Sequence, residues 1–442
     1  MLHKQSMKVM SVMFLAAFAG GAGAAGFQLL EQGSGLGNAF AGSAAKANDA
    51  STIYWNPAGM TQLPRLAASG GLSAVKTSFK FNDKGSQVGV LGAGGTAGAD
   101  EGGDAGGWGF IPNAYASWAL NKDVYLGLGI GAPFGLKTKY DDPWRGSAQS
   151  NEFDIKTFNL NPSIAFRVND LVSLGAGLSW QRIEADYYRQ VSVATLGLSR
   201  VTSHMNLSDD AWGWNVGALF TLSPSTRVGV SYRSAIQYHT DGKVTLRSDG
   251  SALGEGTVAA LRAGGGASDV KADIKVPDTF IVSVHQRLSD RWDMLGDVSW
   301  TGWSTIKNVD IYRTSGLQNG VRAQRLDANF QNTYRVALGA TYALSDALKL
   351  QFGVAYDQTP VKKASTRLTS LPDNDRTWLT IGTQWKPAKD QTLELGLAYL
   401  YVKNPKINKN ETTVSPLTNR GTVTGEYDAS VWILGAQYSL AF

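Results

Sequence analysis

From Arg65 onward the chain alternates apolar residues with small or polar ones, so that neighbouring side chains belong to two unlike faces. A period of two is that of a pleated strand, whose successive Cβ atoms point to opposite sides. The last segment shows it most plainly. Trp432, Leu434, Ala436, Tyr438, Leu440 and Phe442 share one face, while Ile433, Gly435, Gln437 and Ser439 share the other. The same split sets Leu348, Leu350, Phe352, Val354 and Tyr356 against Lys349, Gln351, Gly353, Ala355 and Asp357. It recurs with Leu393, Leu395, Leu397, Tyr399 and Tyr401 against Glu394, Gly396 and Ala398. A soluble sandwich would expose charge on its second face. Here that face is largely Gly, Ala and Ser, which suits a barrel with lipid outside and a polar, Gly-rich interior.

The connections between these runs alternate in length. Short turns fall at 121–123, 169–170, 223–226, 289–291, 345–346 and 387–390. Long polar or Gly-rich stretches fall at 82–107, 134–151, 190–210, 239–271, 307–327, 359–371 and 403–423. Six short and seven long connections predict about fourteen strands, with both ends of the barrel on the short-turn side, as in bacterial barrels with periplasmic turns and longer outer loops. The run at 92–107 opens with Gly92-Ala93-Gly94, but no strand-to-helix context surrounds it, and it reads as a flexible loop rather than a dinucleotide site.

Residues 25–64 do not alternate. They are rich in Gly and Ala, contain Asn56-Pro57-Ala58-Gly59, and are long enough to fill a barrel too wide to be packed by side chains alone. The expected fold is therefore all-β: a transmembrane antiparallel β-barrel of about 14 strands with an N-terminal, partly helical hatch plugging the lumen. Ahead of it lies a secretory signal, with Lys4 and Lys8, an apolar stretch and Ala22-Gly23-Ala24. The expected divisions are a signal peptide at 1–24, a hatch at 25–64 and a barrel at 65–442.

Composition removes other classes. Charged residues are 17% of the chain, against 51 Gly, 16 Tyr, 16 Phe and 13 Trp, a mix that serves a long helix poorly. No later segment approaches the roughly 18 uninterrupted apolar residues of a membrane helix. Without Lys4 and Lys8 the chain has 39 Lys and Arg against 36 acids, which is no nucleic-acid footprint. Cysteine is absent, so disulfides and thiolate metal sites are excluded. Of the four His, His3 lies in the signal, His204 and His239 in expected outer loops, and His285 on a strand with its side chain toward the lumen. With no Gly-x-Ser-x-Gly and no cluster of His and Asp, no enzyme is expected, and neither cofactor nor metal.

Basic residues on the inward face are more informative. Counting along the strand from Ser173 puts Gly175, Gly177, Ser179, Gln181 and, near the outer end, Arg189 inward. Arg233 and Arg335 face inward by the same count. An interior guanidinium matches a carboxylate bidentately. For Arg233 and Arg335 the expectation is instead a structural salt bridge with Asp297, Asp357 or Glu394.

Several motifs carry a resemblance. Ala25-Gly26-Phe27-Gln28-Leu29, the stretch from Ser34 to Gly42, Asn56-Pro57-Ala58, Asn159-Leu160-Asn161-Pro162-Ser163, Trp212-Gly213-Trp214-Asn215, Thr333-Tyr334-Arg335, Pro372-Asp373-Asn374-Asp375-Arg376 and the terminal Phe442 together resemble the long-chain fatty acid transporter family, FadL-like outer-membrane proteins. The resemblance implies uptake of hydrophobic compounds, most simply long-chain fatty acids, through an apolar pocket above the hatch. Release would be sideways through a gap where the third strand kinks, at Ala132-Pro133-Phe134-Gly135-Leu136. Pro133 removes a ladder donor and Gly135 permits unusual dihedrals, so a break there is physically reasonable. Lateral exit suits such ligands, since each CH₂ kept from water is worth about 0.8 kcal/mol.

By ungapped counting Arg189 matches the family's carboxylate anchor. A second anchor falls on Leu326, beside Arg325, which would serve if the register shifts by one, and a polar pocket residue is replaced by Ala132. The resemblance thus implies Arg189, Arg325, Ala132 and Phe134 at the substrate, Pro133 and Gly135 at the lateral gate, and Phe27, Asn56, Pro57 and Ala58 in the hatch. Asp357 belongs to a lumenal ion-pair network. Implied partners are long-chain fatty acids or other hydrophobic small molecules, with outer-membrane lipid and lipopolysaccharide around a monomer. The alternatives are a channel for aromatic hydrocarbons of the toluene type, a general porin, which the hatch argues against, and a barrel enzyme.

Overall fold

The computed structural model describes residues 26–89, 100–191, 201–413 and 419–442. The expected signal, the start at Ala25 and Gly92-Ala93-Gly94 lie outside them. The described strands form a closed, antiparallel barrel of fourteen: β1 Leu66–Asp83, β2 Trp108–Ala119, β3 in two parts, Val124–Gly131 and Gly135–Lys139, β4 Glu152–Arg167, β5 Val172–Val191 and β6 Val201–Ser223. Then follow four broken strands: β7 Thr226–Arg233 and Ile236–Ser248, β8 Ser268–Val276 and Thr279–Arg287, β9 Trp292–Thr301 and Asn308–Arg313, and β10 Arg322–Asp327 and Thr333–Ala343. The last four are β11 Leu348–Asp357, β12 Arg376–Ala388, β13 Gln391–Val402 and Lys406–Asn410, and β14 Gly421–Ala441. Closure comes from β1 pairing with β14, from Ala67↔Ala441 to Asp83↔Gly425. A closed ladder leaves few backbone groups unpaired toward lipid, where no water would satisfy them.

The two faces separate as the alternation requires. On β14, Leu434 is 60% exposed and its neighbour Ile433 fully buried. The outward set continues around the wall with Leu128, Ile164, Leu178, Leu338, Val354 and Ile381, all exposed and apolar.

Strands run further than expected. β5 has 20 residues and β6 has 23, against roughly 9 to 11 needed to cross lipid. Parts of the expected outer connections, at 201–210, 239–248, 268–271, 308–313 and 322–327, are strand. Beyond the lipid the outward face turns polar, as at Asp269, Lys271, Asp273 and Lys275, while Val270, Ala272, Ile274 and Val276 stay buried, so the greasy outer stripe that marks a lipid-crossing strand is lost there. His204 and His239 accordingly lie on strands rather than in loops, each 2.7 Å from a carboxylate, Asp186 and Asp273. One outer connection carries a helix, α3 at Ala252–Ala263 once the two hatch helices are counted, capped by Ser251 Oγ accepting from Gly254 N–H.

Inside the barrel the segment from Gly26 to Leu63 folds as short turns and helices, with α1 at Ser43–Lys46, α2 at Thr52–Trp55 and a 3₁₀ turn at Pro57–Gln62. The inward Gly residues of the wall are where this hatch sits. A Cβ on Gly229 would overlap the Ala44 carbonyl, one on Gly175 the Ala58 backbone, and one on Gly353 the backbone at Asn38 and Ala39. Small inward residues are thus the wall's half of a close backbone fit. Asn56 fastens it: Nδ2 donates to the carbonyls of Ala44 at 2.8 Å and of Ala218, on β6, at 2.9 Å, while Oδ1 accepts from Ala58 N–H. Pro57 opens the 3₁₀ turn, where its missing N–H costs nothing, and Ala58 is fully buried.

Candidate functional site

Above the hatch the lumen is apolar. Phe27, Phe134, Leu136, Ile155, Ile183, Ile236, Tyr238, Val276, Trp303, Ile306 and Phe330 form one buried cluster. Its floor is aromatic, the Phe27 ring lying 5.0 Å from Trp303 and 5.7 Å from Phe134. Beneath, a narrow lumenal cavity of about 50 Å³ reaches from Phe134 and Trp303 down to Tyr54 and Trp55 of the hatch.

Arg189 stands two residues from the outer end of β5, well beyond the lipid-crossing length. The charges of Arg420, Glu411 and Arg313 act on it. Burial, reinforced by the like charge of Arg420, pushes its guanidinium down to about 9, so it remains charged at neutral pH. Among the described residues its Nη1 is buried and without a hydrogen-bond partner. Arg420 is paired with Glu411 at 3.3 Å, and Arg313 donates to Gly266 O and Ser268 Oγ. Neither basic neighbour was marked by any sequence signal, since both lie in expected outer connections.

Arg325 is not brought to this group. It faces outward, half exposed, with Nε 3.6 Å from Asp310. Leu326 instead packs against the apolar cluster, and Gln324 is buried. The one-residue shift does not occur.

The two lumenal arginines differ from each other. Arg335 lies opposite Asp357 in the β10–β11 ladder, and the charges of Asp357, Asp297 and Glu31 act on it. Its Nη2 donates to Ala39 O and its guanidinium lies 5.3 Å from the Trp378 ring. The expected ionic environment is present there. Arg233 has none. Its Nη1 donates to Ser179 Oγ at 3.0 Å and its Nη2 to the Tyr54 carbonyl at 2.8 Å, with the guanidinium 4.4 Å over the Tyr54 ring. The titratable groups that act on it are the phenols of Tyr54 and Tyr115. His285, the inward His of β8, has its Nε2 3.5 Å from Asp293 and its Nδ1 3.2 Å from an Arg227 nitrogen.

The wall is broken at β3. β2 pairs with it only as far as Ala114↔Ile130, so residues 108–113 of β2 have no β3 partner among the described residues. On the other edge, β4 pairs through Gly131↔Asn159 and resumes at Gly135↔Lys156. Ala132, Pro133 and Phe134 fill the break. The hatch finishes their hydrogen bonding: Leu29 N–H donates to Pro133 O and Gly135 N–H to Phe27 O, both at 2.8 Å. Gln32 answers Ala132 at both ends, Oε1 accepting from its N–H at 3.1 Å and Nε2 donating to its carbonyl at 2.8 Å. Phe134 N–H goes to Thr157 Oγ1. Gly135 is not among the residues of positive φ, so Pro133, rather than an unusual glycine conformation, accounts for the break. Gln32 was missed because a lone Gln in a Gly-rich segment carries no pattern.

A plugged fourteen-strand barrel with an apolar belt, an apolar chamber and a broken wall defines an outer-membrane channel for hydrophobic small molecules. Residues 15–442 match the family model of the outer membrane protein transport proteins (OMPP1/FadL/TodX), and the chain belongs to that family. It is 28% identical over 441 residues, 95% of this chain and 94% of the relative, to the long-chain fatty acid transport protein of Salmonella typhi. Its fold is similar to that of a Pseudomonas aeruginosa FadL homologue, with a TM-score of 0.85 at 22% identity over 95% of this chain and 100% of the other. It is also similar to the Ralstonia pickettii toluene transporter TbuX, with a TM-score of 0.64 at 16% identity over 93% and 99%. Members of the family are outer-membrane transporters of hydrophobic compounds and not enzymes.

Proposed function

We propose that the substrate is a long-chain fatty acid, held with its chain in the apolar cluster and its carboxylate at Arg189, and released sideways at Pro133 and Gly135. The observation that carries this reading is a charged guanidinium with an unpartnered buried Nη1, among the described residues, next to Tyr187 of the apolar cluster. An uncharged aromatic hydrocarbon gains only a cation–π contact from such a group, whereas a carboxylate makes a stronger charge-assisted, bidentate contact with it. The name of the Salmonella typhi relative, a long-chain fatty acid transport protein, supports the same choice. In this reading residues 1–24 are an export signal, 25–64 the hatch and 65–442 the barrel, and the protein acts as a monomer in a lipopolysaccharide-bearing membrane.

Direct binding to the purified protein tests the substrate. Oleate is expected to bind more tightly than toluene, and oleate more tightly than its methyl ester. Saturable toluene binding without measurable oleate binding would transfer the protein to the aromatic hydrocarbon class.

A further inference from the structure

Arg233 is a cation set in the wall of a lumenal cavity without an acid to balance it. Its hydrogen bonds to Ser179 and to the Tyr54 carbonyl are made to neutral acceptors, and Tyr54 and Tyr115 supply only phenols. A guanidinium carries five N–H donors, so two such bonds leave capacity for a ligand. A charge taken out of water is costly unless it is paired, and Arg335, lining the same cavity, shows the balanced alternative with Asp357 and Asp297 acting on it.

We infer that Arg233 is a second, inner station for the carboxylate head of an acyl chain, separate from Arg189 and next to the wall break. The inference rests on the fatty acid reading. Separation follows from the strand that both sites share. Ser179, which Arg233 binds, and Arg189 lie on β5, and at about 3.3 Å per residue the ten-residue interval is about 33 Å along the strand. One carboxylate cannot occupy both. Proximity to the exit follows from the lining, because Phe134, one of the three residues in the β3 break, lines the same cavity as Arg233 and Gln28. A head drawn from Arg189 to Arg233 would move from the outer chamber to the level of the opening and find a partner for its charge again on arrival. The guanidinium is already held in place over the Tyr54 ring, 4.4 Å from its centroid, and its planar fork matches the geometry of a carboxylate.

The test uses the full-length protein in detergent and compares oleate with neutral oleyl alcohol by calorimetry. The readout is the ratio of their dissociation constants, because a merely structural loss at Arg233, through its hold on Tyr54, would weaken both ligands alike. Retention of the compact, heat-modifiable form on electrophoresis establishes that each variant is folded. The wild type is expected to prefer oleate, and Arg189→Ala is expected to keep a preference of about tenfold, the scale of one charge-assisted contact. Adding Arg233→Gln should abolish that remainder, and Arg233→Lys in its place should restore part of it. If Arg189→Ala alone removes all preference, or if the double variant keeps what Arg189→Ala had, the inner station is overturned while the fatty acid reading stands. If the wild type itself shows no preference for oleate, both fall together.

Discussion

The lower and upper halves of the lumen are filled in opposite ways. Below, the hatch meets the wall through directed polar contacts: Gly35 N–H to Glu394 at 2.6 Å, Asn38 Nδ2 to Ala340 O at 2.8 Å, Ser43 Oγ to Asp297 at 2.8 Å and Asn56 Nδ2 to Ala218 O at 2.9 Å. Above, the wall meets itself through Ile155, Ile183, Ile236, Val276, Ile306 and Phe330. Hydrogen bonds fix one position, because a buried donor or acceptor left unmatched costs about 1 to 3 kcal/mol. Apolar contact is non-directional and accepts many shapes in exchange. The lower half is therefore built as a stopper and the upper half as a receptacle for greasy ligands of varied outline.

The largest expected effect breaks the stopper. Gly229→Leu would drive a side chain into the Ala44 carbonyl, where only hatch backbone stands, and should cost about 3 kcal/mol of hatch docking. A steady ion current in a planar bilayer, absent from the wild type, is the expected sign. Wild-type conductance would mean that the close fit is not what closes the lumen. The receptacle is tested next. Arg189→Ala should weaken oleate by about 2 kcal/mol and leave methyl oleate unchanged in a binding titration, without adding conductance. Equal losses for both ligands would remove Arg189 as an anchor. The smallest effect sharpens the boundary of the chamber. Arg325→Ala, outside the wall and paired with Asp310 at its surface, should change oleate affinity by less than about 0.5 kcal/mol. A larger loss would return Arg325 to the site.

The same contrast explains what the sequence made legible. Inside the lipid, solvent on one side differs from packing on the other, so Leu434 and Ile433 reveal their faces by type, and the strand count and hatch follow from such runs. Outside the lipid the outward face turns polar, and residues 239–248 and 268–271 were counted as part of a connection. Parity counting also fails across irregular backbone. On β10 the odd positions Thr333 and Arg335 face inward, but before the break at 328–332 it is the even positions Gln324 and Leu326 that do, so the position on which the family's second anchor falls is inward but apolar, and Arg325 beside it points away. For Arg233 the count gave the direction correctly but not the partner. Which groups stand near an inward guanidinium depends on the hatch, whose irregular backbone has no period to read.

Gln32 ties these halves together through a requirement of the bilayer itself. A strand interrupted at membrane depth presents raw edges, and hydrocarbon offers them neither donor nor acceptor. By supplying both to Ala132, the Gln32 amide stands in for a missing neighbouring strand. A wall without its hatch would thus not be a barrel with a permanent window. It would be a barrel with an unsolvated seam, under pressure to zip shut or to recruit another edge. Plug and window are for that reason coupled in physical terms: the hatch that closes the lumen also completes the hydrogen bonds of the broken edge.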